Sequence, residues 1–372
     1  MTEKKIEASP PGVFIKDELE ARGWSQRDLA FVLGQTEQQL NPLLSGKRAI
    51  SADTARLLGA AFDVDPQFFG NLQSQFDISR AKEPDPSVRT RAELQGQFPI
   101  RDMIRRGWIQ DTEGSLLEMQ VRRFFEVGND NSRAELAFAA KRTHYDQTPP
   151  VQLAWVYRVR QIARTLDVPT YSEVRLRDRI SELRAFMIHA EAVSEALAIL
   201  NECGVRVVIV ESLPGAKIDG VCTWLDDSSP VIGLSTLHDR LDNFWFVLRH
   251  EIEHVLQGDG KIGIGMIDNL FGEDDVTEDC EVRANRAAAD FCVSKEKMDS
   301  FYNRKHPYFS ERDVIGFSSL IGVHPAIVVG QLQKRMGRYD YLRKYQVPVR
   351  KFLLNSVVAD GWGSVARVGV IS

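Results

Sequence analysis

The run Arg249-His-Glu-Ile-Glu-His-Val-Leu constrains this chain more than any other feature. It sets two histidines four residues apart within a strongly apolar stretch, among Phe244, Trp245, Val247, Leu248, Ile252, Val255 and Leu256. Apolar residues on nearly all sides predict a buried helix, because a surface helix leaves one face charged. Positions i and i+4 project from the same side, so His250 and His254 direct ring nitrogens at one point, as zinc ligands do. Glu251 falls beside that point, where a carboxylate takes a proton from water and later delivers it to a leaving group.

None of Cys203, Cys222, Cys280 and Cys292 forms a Cys-x-x-Cys pair, so a metal has to be held by histidine and carboxylate. Glu281 follows after an interval of 26 residues, 255–280, and Asn285 lies one helical turn beyond it. Glu281 is the candidate third ligand to Zn2+, and Asn285 the candidate hydrogen-bond partner that fixes a ligand imidazole's tautomer. Ala284, Ala287, Ala288 and Ala289 would let this second helix lie close to the first. The plainer readings are satisfied core histidines and an acid that favours a helix start after Thr277. The acidic run 273–279 lacks calcium-loop spacing and reads as a helix start and solvated loop. Tyr302, His306 and His324 are candidate donors to a developing oxyanion, and His324, just before Pro325, is equally placed to cap a helix.

The 372 residues predict two or three domains at roughly 100–200 residues each. Hydrophobic content of 43% with 27% charged residues is that of a globular protein, and no stretch approaches the ~18 apolar residues of a membrane helix. The N-terminus lacks the charged-then-apolar order of a secretion signal and the cysteines lack a disulfide framework, so a cytoplasmic location and no membrane partner are expected.

Short amphipathic helices are expected at 14–22, 26–33, 37–45, 52–62 and 66–75. Ser25 with Asp28 makes a capping box for the second, and Thr36 caps the third. Ala30, Gly34, Leu40 and Leu43 stand where a helix-turn-helix needs a small contact, a turn and two apolar anchors. The segment 79–87, polar with two prolines, reads as a linker. Helical periodicity resumes at 103–109, 116–125, 153–166 and 180–200. Branched residues at 205–210, 221–225 and 231–234 then predict three strands. Helices near 241–257, 278–293, 310–319, 325–336 and 338–346 complete the expected elements. The fold class is mainly α with a small β-sheet.

Together these motifs resemble a fusion of a HigA-type antitoxin of the Xre/Cro helix-turn-helix family with an ImmA/IrrE-type zinc metallopeptidase domain. The resemblance covers most of the chain. Its N-terminal part rests on Pro11-Gly-Val-Phe, Ser25-Gln-Arg-Asp-Leu-Ala, Gly46-Lys-Arg-Ala-Ile-Ser-Ala-Asp-Thr-Ala and Phe68-Phe-Gly-Asn-Leu-Gln. Its second part rests on the three strands, the histidine run, Glu281-Val-Arg-Ala-Asn and His324-Pro-Ala-Ile-Val-Val-Gly-Gln-Leu-Gln. It implies a five-helix Xre-type domain at 1–78, a helical middle region at 79–190, an α+β zincin-like (gluzincin) domain at 191–302 and a helical extension at 303–372. It also implies His250, His254 and Glu281 as zinc ligands and Glu251 as base. Two departures stand out. Glu253 replaces the glycine usual in the family and is read as facing solvent, while Pro42 falls within the expected recognition helix and predicts a kinked or short one.

Gln26, Gln38, Gln39 and Asn41 are the candidate DNA-reading residues, since paired amides match adenine edges, and Lys47 and Arg48 are placed for phosphates. Residues 1–80 nevertheless hold nine Lys/Arg against eleven Asp/Glu, within a chain of net charge −5, so bulk attraction to DNA is weak. The expected function is a homodimeric, operator-binding regulator whose zinc endopeptidase domain cleaves a repressor or toxin-like protein partner. The alternative is a non-catalytic antitoxin or repressor with a structural or sensory metal site.

Overall fold

A computed structural model describes residues 8–127, 148–261, 265–268, 279–354 and 358–368. The acidic run at 273–278, Thr277 included, lies outside them. The chain forms two compact units, Met1–Asp85 and Pro86–Ser372.

The first unit contains helices α1 (Pro11–Arg22), α2 (Gln26–Val32), α3 (Glu37–Leu44), α4 (Ala52–Phe62) and α5 (Pro66–Arg80). Ile15, Leu29, Leu40, Leu43, Leu58 and Phe69 close its core. Ser25 and Asp28 form a reciprocal capping box at the start of α2, and Gly34 turns the chain towards α3 with φ +63°. Helix α3, containing Pro42, is eight residues long. Helix α5 outruns the expected 66–75 because Phe76 is buried and carries the Arg80 guanidinium over its ring.

The second unit begins at Pro86, inside the stretch read as linker. Helices α6 (Pro86–Gln97), α7 (Ile100–Arg105), α8 (Gly114–Phe124) and α9 (Pro150–Ala163) precede α10 (Glu173–Leu183) and α11 (Val193–Glu202). A single helix over 180–200 is not what forms: two 3-10 turns, Arg184–Ile188 and Ala190–Ala192, separate α10 from α11. Leu183, Met187, Ala190 and Val193 are all buried, so the tighter turns prolong an apolar row that looks α-helical in sequence.

Strands β1 (Arg206–Val210), β2 (Gly220–Trp224), β3 (Pro230–Leu234), β4 (Met266–Asp268) and β5 (Ala359–Asp360) make one sheet in the order β4-β2-β3-β1-β5. β1 pairs in parallel with β3 and β5, and β2 runs antiparallel to β3 and β4. Both faces are covered. Val207 and Ile209 join the core shared with helix α12 (Leu241–Gln257), whereas Val208 and Val210 join the core built on α9. This explains why β1 reads as an unbroken apolar run. The stretch read as a middle region therefore supplies the sheet's second covering layer.

Helices α13 (Asp279–Cys292), α14 (Lys295–Lys305), α15 (Glu311–Ile321), α16 (Pro325–Met336) and α17 (Arg350–Leu353) follow. The helix expected at 338–346 is reduced to a 3-10 turn, Arg343–Tyr345, since Leu342 turns the chain at φ +49°. No single helix among the described residues is long and apolar enough to cross a membrane. None of the four cysteines forms a disulfide.

The C-terminal β5 is tied in by a buried ion pair. Asp360 accepts from Arg158 Nε at 2.9 Å, from Trp108 Nε1 at 2.9 Å and from Ala366 N at 3.1 Å. Removing one partner of such a pair strands the other charge, at a cost of about 3–5 kcal/mol. Asp360→Ala is expected to lose stability of that order in urea unfolding; a change below about 1 kcal/mol would show that Arg158 finds another partner.

Candidate metal centre

Helix α12 is buried along most of its length, and His250, Glu251 and His254 are all 0% exposed. Helix α13 lies against it through the small residues Ala284 and Ala288, both fully buried, and thereby brings Glu281 to the histidines. His250 Nε2 and His254 Nε2 are 3.0 Å apart. Glu281 Oε2 is 3.2 Å from the first, and its Oε1 is 3.3 Å from the second. Tetrahedral zinc with ligand bonds of roughly 2.0–2.2 Å needs donor atoms about 3.3–3.6 Å apart. The three donors therefore converge at nearly that spacing, and their chemistry, two imidazoles with a carboxylate, fits zinc. Burial raises the Glu281 carboxyl, but hydrogen bonds from His250 and His254 outweigh it and hold the group well below the usual carboxylate range. Glu281 is accordingly present as the anion.

The orientation of His254 comes from a residue the sequence reading did not single out. Gly258 ends α12 in the left-handed region at φ 72°. This turn directs Asp259 back, so that its Oδ2 lies 3.0 Å from His254 Nδ1. With a metal bound, a carboxylate there would favour the Nδ1–H tautomer and leave the Nε2 lone pair for the ion. Arg283 on α13 binds the same Asp259 oxygen at 2.8 Å, and Trp224 Nε1 donates to the Asp259 carbonyl at 2.9 Å. Asn285, expected in this role, hydrogen-bonds neither imidazole; it lines an adjoining cavity. The helix-ending Gly258-Asp259 was the available signal, because a C-terminal turn returns the following side chain to the last helical turn.

Glu253 does not face solvent. It is 8% exposed, accepts from Arg249 at 2.8 Å and from Gln257 at 2.9 Å, and faces Arg283 at 3.9 Å. Burial raises its carboxyl, while these partners bring the net shift downward. Arg283 thus lies between two carboxylates of the α12 end and fastens α13 to it. Glu251 projects towards β2, where a Cβ on Gly220 would meet its Oε1 at 2.1 Å. Glycine at 220 makes the space for that carboxylate.

His324 is placed otherwise than a catalytic donor. Its Nδ1 accepts from Ala326 N at 3.1 Å and caps α16. Tyr302 packs on His306 and Phe309, under the Arg335 guanidinium. In the first unit Gln26, Gln38, Asn41, Lys47 and Arg48 are exposed. Gln39 is exposed too, but its Oε1 accepts from Thr36 N at 3.0 Å, so its amide is partly committed to capping α3. Glu37 is paired with Arg27 at 2.8 Å.

Fold and site together define a helix-turn-helix domain followed by a metallopeptidase-type domain. The helix-turn-helix family matches residues 15–69, and the IrrE N-terminal-like domain, an M78-type peptidase family, matches residues 202–316. Virulence-associated protein A' of Dichelobacter nodosus is 38% identical over 74 residues, 20% of this chain and 64% of that protein. The chain thus spans under two thirds of that relative. Virulence-associated protein I of the same organism is 31% identical over 85 residues, 23% of this chain and 79% of that protein. The chain belongs to the family of virulence-associated protein I, and it also matches the IrrE N-terminal-like domain.

Asp259→Asn keeps the shape of the His254 partner and removes its charge. It is expected to weaken zinc binding about 10–100-fold in competition with a chelator. Unchanged affinity would mean that the tautomer is set elsewhere.

Proposed function

We propose that the protein is a cytoplasmic, operator-binding regulator whose second domain is a zinc endopeptidase acting on a specific protein partner. The observation that carries this reading is the convergence of His250, His254 and Glu281, with the buried Glu251 one residue along the same helix. These three residues would hold zinc, which supplies a Lewis acid for the scissile carbonyl and for water activation. Glu251 takes the proton from the attacking water and returns it to the leaving amine. Asp259 and Arg283 hold His254 in the orientation that binding requires. At the sheet edge, β4 supports the same reading, since an extended substrate can add to an edge strand by backbone hydrogen bonds.

The first domain binds its operator as a homodimer of HigA-like type, with Gln26, Gln38 and Asn41 towards base edges and Lys47 and Arg48 towards phosphates. Gln39 contributes mainly by capping α3, which leaves Gln38 and Asn41 as the amides on that helix not engaged in capping.

Two experiments test the halves separately. Proteins that co-purify with Glu251→Gln are incubated with zinc-loaded wild type; a partner is expected to be cut by wild type and spared by Glu251→Gln at equal zinc content. Identical fragments from both would remove Glu251 from the base role. For the DNA half, Lys47→Ala is expected to weaken binding to the protein's own promoter evenly across sequences and to lower the salt slope by about 1. A wild type that fails to shift that DNA at low salt would leave the helix-turn-helix as a protein-interaction module.

A further inference from the structure

Helices α12, α13 and α16 enclose a cavity of about 640 Å³. The volume lies within the roughly 300–1,000 Å³ of ligand pockets. Its walls continue the helix faces that carry the metal-binding donors. Phe246 stands one turn before His250 on α12, and Asn285 and Ala289 stand one and two turns after Glu281 on α13. Consecutive Cα atoms of a peptide are about 3.8 Å apart and a helix turn rises about 5.4 Å, so a residue flanking a bond held at the donors reaches the cavity wall.

The lining selects against charge. Arg240 binds Asp242 at 2.7 Å and Gln333 Oε1 at 2.8 Å. Arg335 binds Asp299 at 2.6 Å and lies 4.2 Å over the Tyr302 ring. The Lys334 ammonium is likewise engaged, 4.9 Å over the Phe246 ring. A charged group entering the cavity therefore meets no uncommitted acid, lysine or arginine among the described lining residues, and enclosing it unpaired is strongly unfavourable. The half-buried Phe246 and Ala289 and the 54% exposed Tyr339 supply accessible apolar wall. Asn285 is half-buried as well, and its side-chain amide has no hydrogen-bond partner among the described residues, whereas the amide of Gln331, another lining residue, donates to the Ala289 carbonyl at 3.1 Å. A free primary amide offers both donor and acceptor, which a peptide backbone matches.

We propose that this cavity is the side-chain subsite of the peptidase centre: it takes a large, uncharged, apolar residue next to the scissile bond of the protein substrate, and Asn285 holds that residue's backbone. The subsite rests on the peptidase reading and adds to it the class of residue recognised.

Hydroxamates of N-acetyl amino acids bind zinc through their two oxygens and carry a chosen side chain beside it, so they probe the subsite without turnover. Calorimetry on the zinc-loaded full-length protein is expected to show N-acetyl-phenylalanine hydroxamate binding roughly tenfold tighter than the alanine compound, with the aspartate and lysine compounds no tighter than alanine. Ala289→Trp, which fills the cavity, is expected to erase the phenylalanine preference. Thermal melting establishes that this variant is folded, and the four compounds on wild type need no variant at all. Asn285→Ala is expected to weaken the whole series several-fold while zinc affinity, measured against a chelator, is unchanged; a parallel loss of zinc affinity would place Asn285 on a ligand imidazole instead. The subsite is overturned by equal affinity across the four side chains, by preference for a charged one, by absence of saturable binding to the zinc-loaded protein, or by a phenylalanine preference that survives in folded Ala289→Trp. Failure of the peptidase reading looks different: the phenylalanine preference holds, yet wild type cuts no co-purifying partner. A chain that takes up no zinc removes both.

Discussion

Helix α12 carries His250, Glu251, Glu253 and His254 into an interior where none is more than 8% exposed, and the second unit is organised around making this tolerable. An isolated buried charge costs several kcal/mol, so each ionisable group requires a partner or a ligand. Glu253 is met by Arg249 and Gln257 from its own helix and by Arg283 from the next. His254 is met by Asp259, which is met by the same Arg283. Glu281 is anionic because both imidazoles hydrogen-bond it. Charges that would oppose burial singly become the links that fix α13 to α12.

The apolar demand of α12 explains the sheet. A helix apolar on nearly all sides has to be covered on nearly all sides, and β2 and β3 cover one of them. A sheet whose opposite face was left bare would expose Val208, Val210, Val221 and Val231. Helix α9 covers that face, and the Arg158–Asp360 pair holds the last strand to α9. The metal centre and the C-terminal segment are therefore parts of one two-faced layer structure, although the chain between them is long.

Legibility in the sequence followed the range of each interaction. The ligand geometry of His250 and His254 is set by helical spacing alone, and the capping box of Ser25 with Asp28 is set within three residues. Local rules therefore suffice for both. Glu281 needed a pairing of two helices, which its alanine face made readable. The break between α10 and α11 was hidden because 3-10 turns preserve an apolar row. β4 and β5, three and two residues long, exist only through their neighbours, so no periodicity announces them. Glu253 was misread for a related reason: its partner Arg283 lies on another helix, and a carboxylate considered without that partner belongs in water. Asp259 was overlooked in favour of Asn285 because a one-turn offset on a helix is easier to read than the return of a chain after a left-handed glycine.

The same pairing of α12 with α13 links the metal centre to the neighbouring cavity. Asn285 lies one turn from Glu281 and Phe246 one turn from His250, each on a helix that carries a ligand. Helices transmit displacement along their axes with little loss, because their hydrogen bonds resist stretching and close-packed interiors do not deform continuously. A change in the separation of the two helices at the cavity must therefore be felt where three donor atoms now lie 3.0–3.3 Å apart. Metal geometry of this kind tolerates only a few tenths of an ångström. Arg283, bound to Asp259 and facing Glu253, ties α13 to the C-terminal end of α12 beside the metal centre, so that ionic clamp opposes movement at the ligands.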